Sequence, residues 1–201
     1  ERELGITDSI KLASNENPLG PGPLARAALA NAIDGAGHYP DGAGHALRSK
    51  LARLHGVEIS QVTLGNGSND ILVMLVEAFL TPGLEAVHAQ YAFAVYPASI
   101  QASGAIARIA PSRPAGGDQP LGHDPAEIAR AVGPRTRMVF VANPNNPTGT
   151  WLAESELDVL LAAIPEDVIV VLDEAYHEYS APLGIPDGTR WLARHPNLVV
   201  T

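Results

Sequence analysis

The sequence predicts an α/β fold: a mostly parallel sheet with helices on both faces. Three observations predict it. Residues 138–142 and 168–172 are apolar runs with one helix-length segment, residues 154–164, between them. Strand, loop, helix and strand in that order make a βαβ unit. The buried strand candidates are continuously apolar rather than alternating, as parallel strands covered on both faces should be. Helix and strand segments also alternate along most of the chain.

After a start rich in Pro and Gly, residues 24–33 and 45–54 read as helices. Residues 62–64 are a short strand candidate, and residues 69–80 an apolar helix stopped by Thr81-Pro82-Gly83. Further strands are expected at 84–88, 106–109, 138–141, 168–172 and 198–200. Asp124-Pro125-Ala126-Glu127 is a helix start, with an N-cap, a Pro at the first helical position and a carboxylate in the first turn. The loop 110–123, heavy in Pro and Gly, carries no predicted element, and the chain has no internal repeat.

At 201 residues the chain can bury a substantial core. Its 46% hydrophobic and 17% charged residues mark it as globular rather than disordered. A net charge of -9, with no cluster of Lys and Arg, argues against a nucleic-acid partner. No apolar run approaches the roughly 20 residues that cross a bilayer, so no membrane association is expected. The absence of cysteine excludes disulfides and thiolate metal sites and fits a cytoplasmic protein. Glu1-Arg2-Glu3-Leu4 has no signal-peptide pattern, and a start at Glu1 suggests that residues precede it. The seven histidines show no metal-ligand spacing and are expected mostly at the surface or at helix ends.

Two stretches carry the chemistry. Asn143-Pro144-Asn145-Asn146-Pro147-Thr148-Gly149 follows one apolar run, and Asp173-Glu174-Ala175-Tyr176 follows the other. In parallel sheets ligands bind where loops leave the carboxyl ends of strands, so an Asn, an Asp and a Tyr converge on one crevice. A carboxylate, an amide and a phenol suit a pyridine ring with a ring nitrogen and a phenolic oxygen, as in pyridoxal 5'-phosphate. A third stretch, Gly65-Asn66-Gly67-Ser68-Asn69, is a Gly-rich turn before a helix, which points N–H groups and the positive end of the helix dipole at an anion. Each motif has a plainer reading. Asp173 could cap its turn with Glu174 as a solvated partner, Asn146 could form a turn, and Phe93, Tyr91 and Tyr39 could simply pack. In order and on matching elements, the motifs favour the cofactor.

Together the three motifs resemble those of fold-type I aminotransferases, and within them the histidinol-phosphate aminotransferase family. Leu12-Ala13-Ser14-Asn15-Glu16-Asn17-Pro18-Leu19-Gly20, Tyr39-Pro40-Asp41-Gly42 and Tyr91-Ala92-Phe93-Ala94-Val95-Tyr96 add to the likeness, which covers nearly the whole chain. Aromatic aminotransferases and related decarboxylases share parts of it. The resemblance implies pyridoxal 5'-phosphate as cofactor, with Asp173 on the pyridine nitrogen and Asn146 and Tyr176 on the ring oxygen. It puts the phosphate on Gly67, Ser68 and Asn69, and Phe93, or Tyr91 in a shifted register, against the ring face. Tyr39 would reach the cofactor phosphate of a neighbouring subunit, which implies a homodimer. Asn15, Glu16 and Asn17 would lie over the substrate. Residues 1–36 would be an N-terminal arm with part of a small domain, and residues 37–201 an incomplete cofactor-binding large domain.

This chemistry needs a lysine to hold the cofactor covalently and to shuttle a proton. The chain has only Lys11 and Lys50, both far upstream of the motifs. The resemblance places the lysine beyond Thr201, so the chain is expected to be a fragment without turnover of its own. The activity implied for the intact enzyme moves the amino group of L-glutamate to imidazole-acetol phosphate, giving 2-oxoglutarate and histidinol phosphate, a step of histidine biosynthesis. The reading from another class is a non-catalytic half-domain that binds a phosphorylated ligand or a partner chain.

Overall fold

The computed structural model describes residues 3, 5–6, 8–10 and 14–201. Leu12 and Ala13 of the first motif, and Lys11, lie outside the described residues. Contacts divide the chain into two compact units, Glu1–His45 and Ala46–Thr201.

In the first unit, helix α1 (Pro23–Ala32) starts at a Pro in its first turn, after Gly22 in extended conformation. The missing Pro N–H costs nothing there, and the Ala-rich sequence favours continuation. None of the unit's described residues is buried. Asp41 accepts from the backbone N–H groups of Ala43 at 3.0 Å and His45 at 2.8 Å, capping the start of α2 (His45–His55). These bonds hold its carboxyl below the usual range.

The second unit is built on a sheet of five parallel strands: β1 (Glu85–Ala89), β2 (Ile106–Ala110), β3 (Thr136–Ala142), β4 (Ile169–Asp173) and β5 (Leu198–Val200). Their order is β2-β1-β3-β4-β5. Strand β3 shows why the central runs are continuously apolar. Met138, Phe140 and Ala142 join a core with Leu72 and Val76 of α3 (Ser68–Phe79) and Ile100 of α4 (Val95–Ala102). Val139 and Val141 join a second core with Ile128 of α5 (Pro125–Ala131), and with Leu157 and Leu160 of α6 (Glu154–Ala163). Each large side chain so buried contributes about 1.5–3 kcal/mol. Trp191, fully buried in the second core, keeps its polar edge satisfied by donating from Nε1 to Asp158 Oδ1 at 2.7 Å. Asp124 caps α5 as expected, accepting from Ala126 and Glu127 N–H.

One expectation changes. Residues 62–64 form no strand: Val62 is extended, at φ -106 and ψ 121, but has no ladder partner among the described residues. A strand exists only through pairing, which local propensity cannot supply. His88 and His123 are buried, unlike the other histidines, and burial pushes the His123 imidazole down to about 4.

Candidate active site

The site grows from the carboxyl end of the sheet. Ala142 and Asp173 are register partners at the last rung between β3 and β4, and Asn143 N–H donates to the Asp173 carbonyl at 2.9 Å. The Asn-Pro-Asn-Asn-Pro-Thr-Gly loop therefore leaves its strand beside the Asp173 backbone. Asp173 is only 4% exposed. Its Oδ2 accepts from the Tyr96 hydroxyl at 2.7 Å and its Oδ1 from Ala175 N–H at 3.2 Å. Tyr96 stacks on Phe140 with ring centroids 4.7 Å apart and planes 12° apart. Phe93 meets the Tyr96 ring edge-on, at 5.8 Å and 87°. Burial first, and then the Asp173 charge, push the Tyr96 phenol far above its ordinary pKa, so it is held as a donor.

Inside the loop the three asparagines divide their work. Asn143 brackets Leu152, its Oδ1 accepting from Leu152 N–H at 2.7 Å and its Nδ2 donating to Leu152 O at 3.4 Å. Asn145 donates from Nδ2 to the Tyr91 carbonyl at 2.8 Å and to Thr148 Oγ1 at 2.7 Å. The bond to Tyr91 ties the loop after β1 to the loop after β3, and the bond to Thr148 braces the latter from within. Asn146, which holds neither loop, donates to the Tyr176 hydroxyl at 3.4 Å. Amide and phenol thus stand together beside the buried carboxylate's strand end. Tyr91 is used through its backbone carbonyl, and its side chain is 38% exposed.

Helix α3 opens at Ser68 after an N-cap glycine, Gly67, which offers its first-turn N–H groups no side-chain cap. Gly67, immediately before it, has φ 75 and ψ 177, a region open essentially to glycine alone. Asp70, in the first turn, turns back to accept from Asn66 N–H and Asn66 Nδ2, each at 2.9 Å. Its carboxyl is held below the usual range by those bonds. Ser68 lines an open cavity of about 730 Å³ together with Glu174, Ala175 and Thr201. Asn69 is exposed in the same helical turn.

Glu174 is not the solvated partner of the plainer reading. It is 8% exposed, and both its oxygens accept from Gly188 N–H, at 2.9 and 3.1 Å. Burial first, tempered by that bond and reinforced by the charges of Asp187, Asp173 and Glu178, pushes its carboxyl up to about 7. The cause is the segment after α7 (His177–Ser180), which brings Gly188 onto the end of β4. A Cβ at Gly188 would fall 2.6 Å from Leu172 Cδ2. Neither Glu174's burial nor Tyr96's bond to Asp173 was legible in the sequence. The only trace of the latter is the spacing of Tyr96 three residues after Phe93, on one face of a helical turn.

Asp173, Asn146, Tyr176, Phe93 and the Gly67-Ser68-Asn69 turn all belong to the second unit. Asn15, Glu16, Asn17 and Tyr39 belong to the first, where all are exposed. Asn17 Oδ1 accepts from Leu19 N–H at 3.0 Å, and Asn15 has a left-handed φ of 48. Among the described residues no group of three or more His, Asp and Glu could hold a metal ion, and no helix is long and apolar enough to cross a membrane.

Residues 7–201 match the family model of aminotransferase class I and II. Histidinol-phosphate aminotransferase 2 of Pseudomonas fluorescens is 53% identical over 202 residues, covering 100% of this chain and 53% of that protein. Histidinol-phosphate aminotransferase 1 of Nitrosococcus oceani is 46% identical, again over 100% of this chain and 53% of the relative. The crystal structure of a histidinol-phosphate aminotransferase from Sinorhizobium meliloti, in complex with pyridoxal-5'-phosphate, superposes with a TM-score of 0.89 at 26% identity. That match covers 99% of this chain and 53% of the other. A single mutant of Thermus thermophilus aspartate aminotransferase has a TM-score of 0.71 at 27% identity, covering 86% of this chain and 47% of its own. The chain spans about half the length of the relatives it matches.

Proposed function

The chain belongs to the class I and II aminotransferases, and from that premise we propose that it is the cofactor-binding part of a histidinol-phosphate aminotransferase. The observation that carries the cofactor reading is the buried Asp173 carboxylate, with Asn146 and Tyr176 paired beside it.

The residues fit pyridoxal 5'-phosphate by charge and shape. Asp173 offers a desolvated anion to a ring nitrogen. Asn146 Nδ2 and the Tyr176 hydroxyl offer donors to a phenolic oxygen, and the uncapped start of α3 suits a phosphate dianion. Bound there, the cofactor supplies an electron sink for the pair left when an amino acid loses its α-proton. In this reading Asp173 keeps the proton on the ring nitrogen, while Asn146 and Tyr176 orient the ring through its oxygen. Gly67, Ser68 and Asn69 hold the phosphate, and Phe93 covers the ring. A homodimer, with Tyr39 reaching the neighbouring subunit's phosphate and Asn15, Glu16 and Asn17 lying over the substrate, completes the proposal. The proton-shuttling lysine belongs to sequence after β5. The intact protein then exchanges the amino group between L-glutamate and imidazole-acetol phosphate.

The test is an absorbance spectrum of the full-length protein with pyridoxal phosphate. The expected result is a band that borohydride fixes to a lysine and that shifts on adding glutamate or histidinol phosphate. A folded protein with no such band overturns the aminotransferase reading. Higher kcat/KM for an aromatic amino acid than for histidinol phosphate overturns the substrate assignment alone.

A further inference from the structure

We propose that Tyr96 is a positioning residue that keeps Asp173 an aimed anion and carries Phe93, so that the ring-nitrogen partner and the stacking ring move as one unit. This inference rests on the cofactor reading above and assigns a role to a side chain which that reading leaves out.

Three observations carry it. Tyr96 is fully buried, and its one hydroxyl proton goes to Asp173 Oδ2 at 2.7 Å. Its ring is clamped by the parallel stack on Phe140 of β3, so the hydroxyl cannot swing away without disturbing the sheet. Phe93 is joined to it twice, through the edge-to-face ring contact at 5.8 Å and through Tyr96 N–H donating to the Phe93 carbonyl at 3.1 Å. Phe93 itself is only half-buried, so its free surface is available to a ligand.

The chemistry explains why a phenol suits this place. A carboxylate as buried as Asp173 has lost its water and needs protein donors in place of it, and those donors also fix its direction. A cationic donor would stabilise it too, but would cancel the charge that a protonated ring nitrogen needs. A neutral phenol stabilises and aims the carboxylate without neutralising it, and its bond is strengthened by the apolar surroundings. The Tyr96 pKa, pushed upward by burial and by Asp173, means the phenol donates at every working pH. The Ala175 N–H occupies Oδ1 in the same way, and each oxygen keeps further lone pairs for the ring nitrogen.

The experiment compares the full-length protein with its Tyr96→Phe and Phe140→Leu variants. Pyridoxal phosphate affinity, the 15N shift of the labelled pyridine nitrogen and the urea midpoint are measured for each. Tyr96→Phe is expected to weaken cofactor binding about 10-fold, the scale of a lost hydrogen bond to a charged group. The 15N signal should move towards unprotonated pyridine. Phe140→Leu keeps the hydroxyl but frees the ring, so smaller shifts in the same direction are expected. That variant decides the question if Tyr96→Phe does not fold. Wild-type affinity and 15N shift in the folded variants would overturn the role of Tyr96 alone. A wild-type protein that binds no cofactor would overturn the aminotransferase reading, and this role with it.

Discussion

Asp173 and Glu174 are neighbours at one strand end, yet their surroundings send them to different chemistry. Asp173 has a donor on each oxygen, while Glu174 has one N–H and three nearby carboxylates. Because the Glu174 carboxyl is raised to about 7 in the folded protein, the native state binds more protons than the unfolded chain between about pH 4.5 and 7. Its favourable contribution is therefore complete below pH 4.5 and is lost as pH rises through 7. Relative to Glu174→Gln, which stays neutral, the wild type should lose on the order of 2 kcal/mol between pH 5 and 8. Urea midpoints of both proteins across that range check this, and parallel pH profiles would refute it. At Asp173 the expectation is catalytic. Asp173→Asn keeps an acceptor for Tyr96 but cannot hold a ring proton, so kcat/KM of the full-length enzyme should fall by about 100-fold or more. The position of Asp173 at a strand end was legible from the apolar run before it. Tyr96 was not: its partner is 77 positions away, and an aromatic in such a segment reads as packing.

The loops and helix ends, more than the strands, set the site. Gly67 is the clearest case, since its φ of 75 with ψ of 177 is closed to residues with a Cβ although no neighbouring atom lies within 4 Å of one. Gly67→Ala should therefore act through backbone strain, costing about 1–3 kcal/mol in chemical denaturation. Cofactor affinity should fall with it, because relief of the strain turns the first N–H groups of α3 away; unchanged stability and affinity would show that the turn tolerates alanine. The central strands β3 and β4 were legible from their apolar runs, since a strand covered on both faces has no room for polar alternation, whereas the edge strand β2 carries Arg108 and is mostly exposed. Residues 62–64, two of them apolar, have no ladder partner among the described residues, so pairing rather than propensity decided their state.

Across the whole molecule, the five-stranded sheet of the second unit carries the candidate site, which the proposal completes with a second subunit. The full-length protein should sediment at twice its chain mass. Tyr39→Phe should weaken pyridoxal phosphate binding about 10-fold while leaving the urea midpoint in place, as loss of one phosphate contact from an exposed residue predicts. A monomer with full cofactor affinity would remove Tyr39 from the site. Read alone, the chain's order of apolar runs and punctuating loops was enough for the α/β class, the parallel sheet and the carboxyl-end crevice. Those features follow from local periodicity and from the short loops that join consecutive elements. The burial of Glu174 beneath Gly188, the division of labour among Asn143, Asn145 and Asn146, and the Phe93–Tyr96–Asp173 connection came only with the tertiary structure. Each depends on groups distant in sequence meeting in a desolvated place, where hydrogen-bond partners and charge states are set by the neighbours rather than by the residue itself.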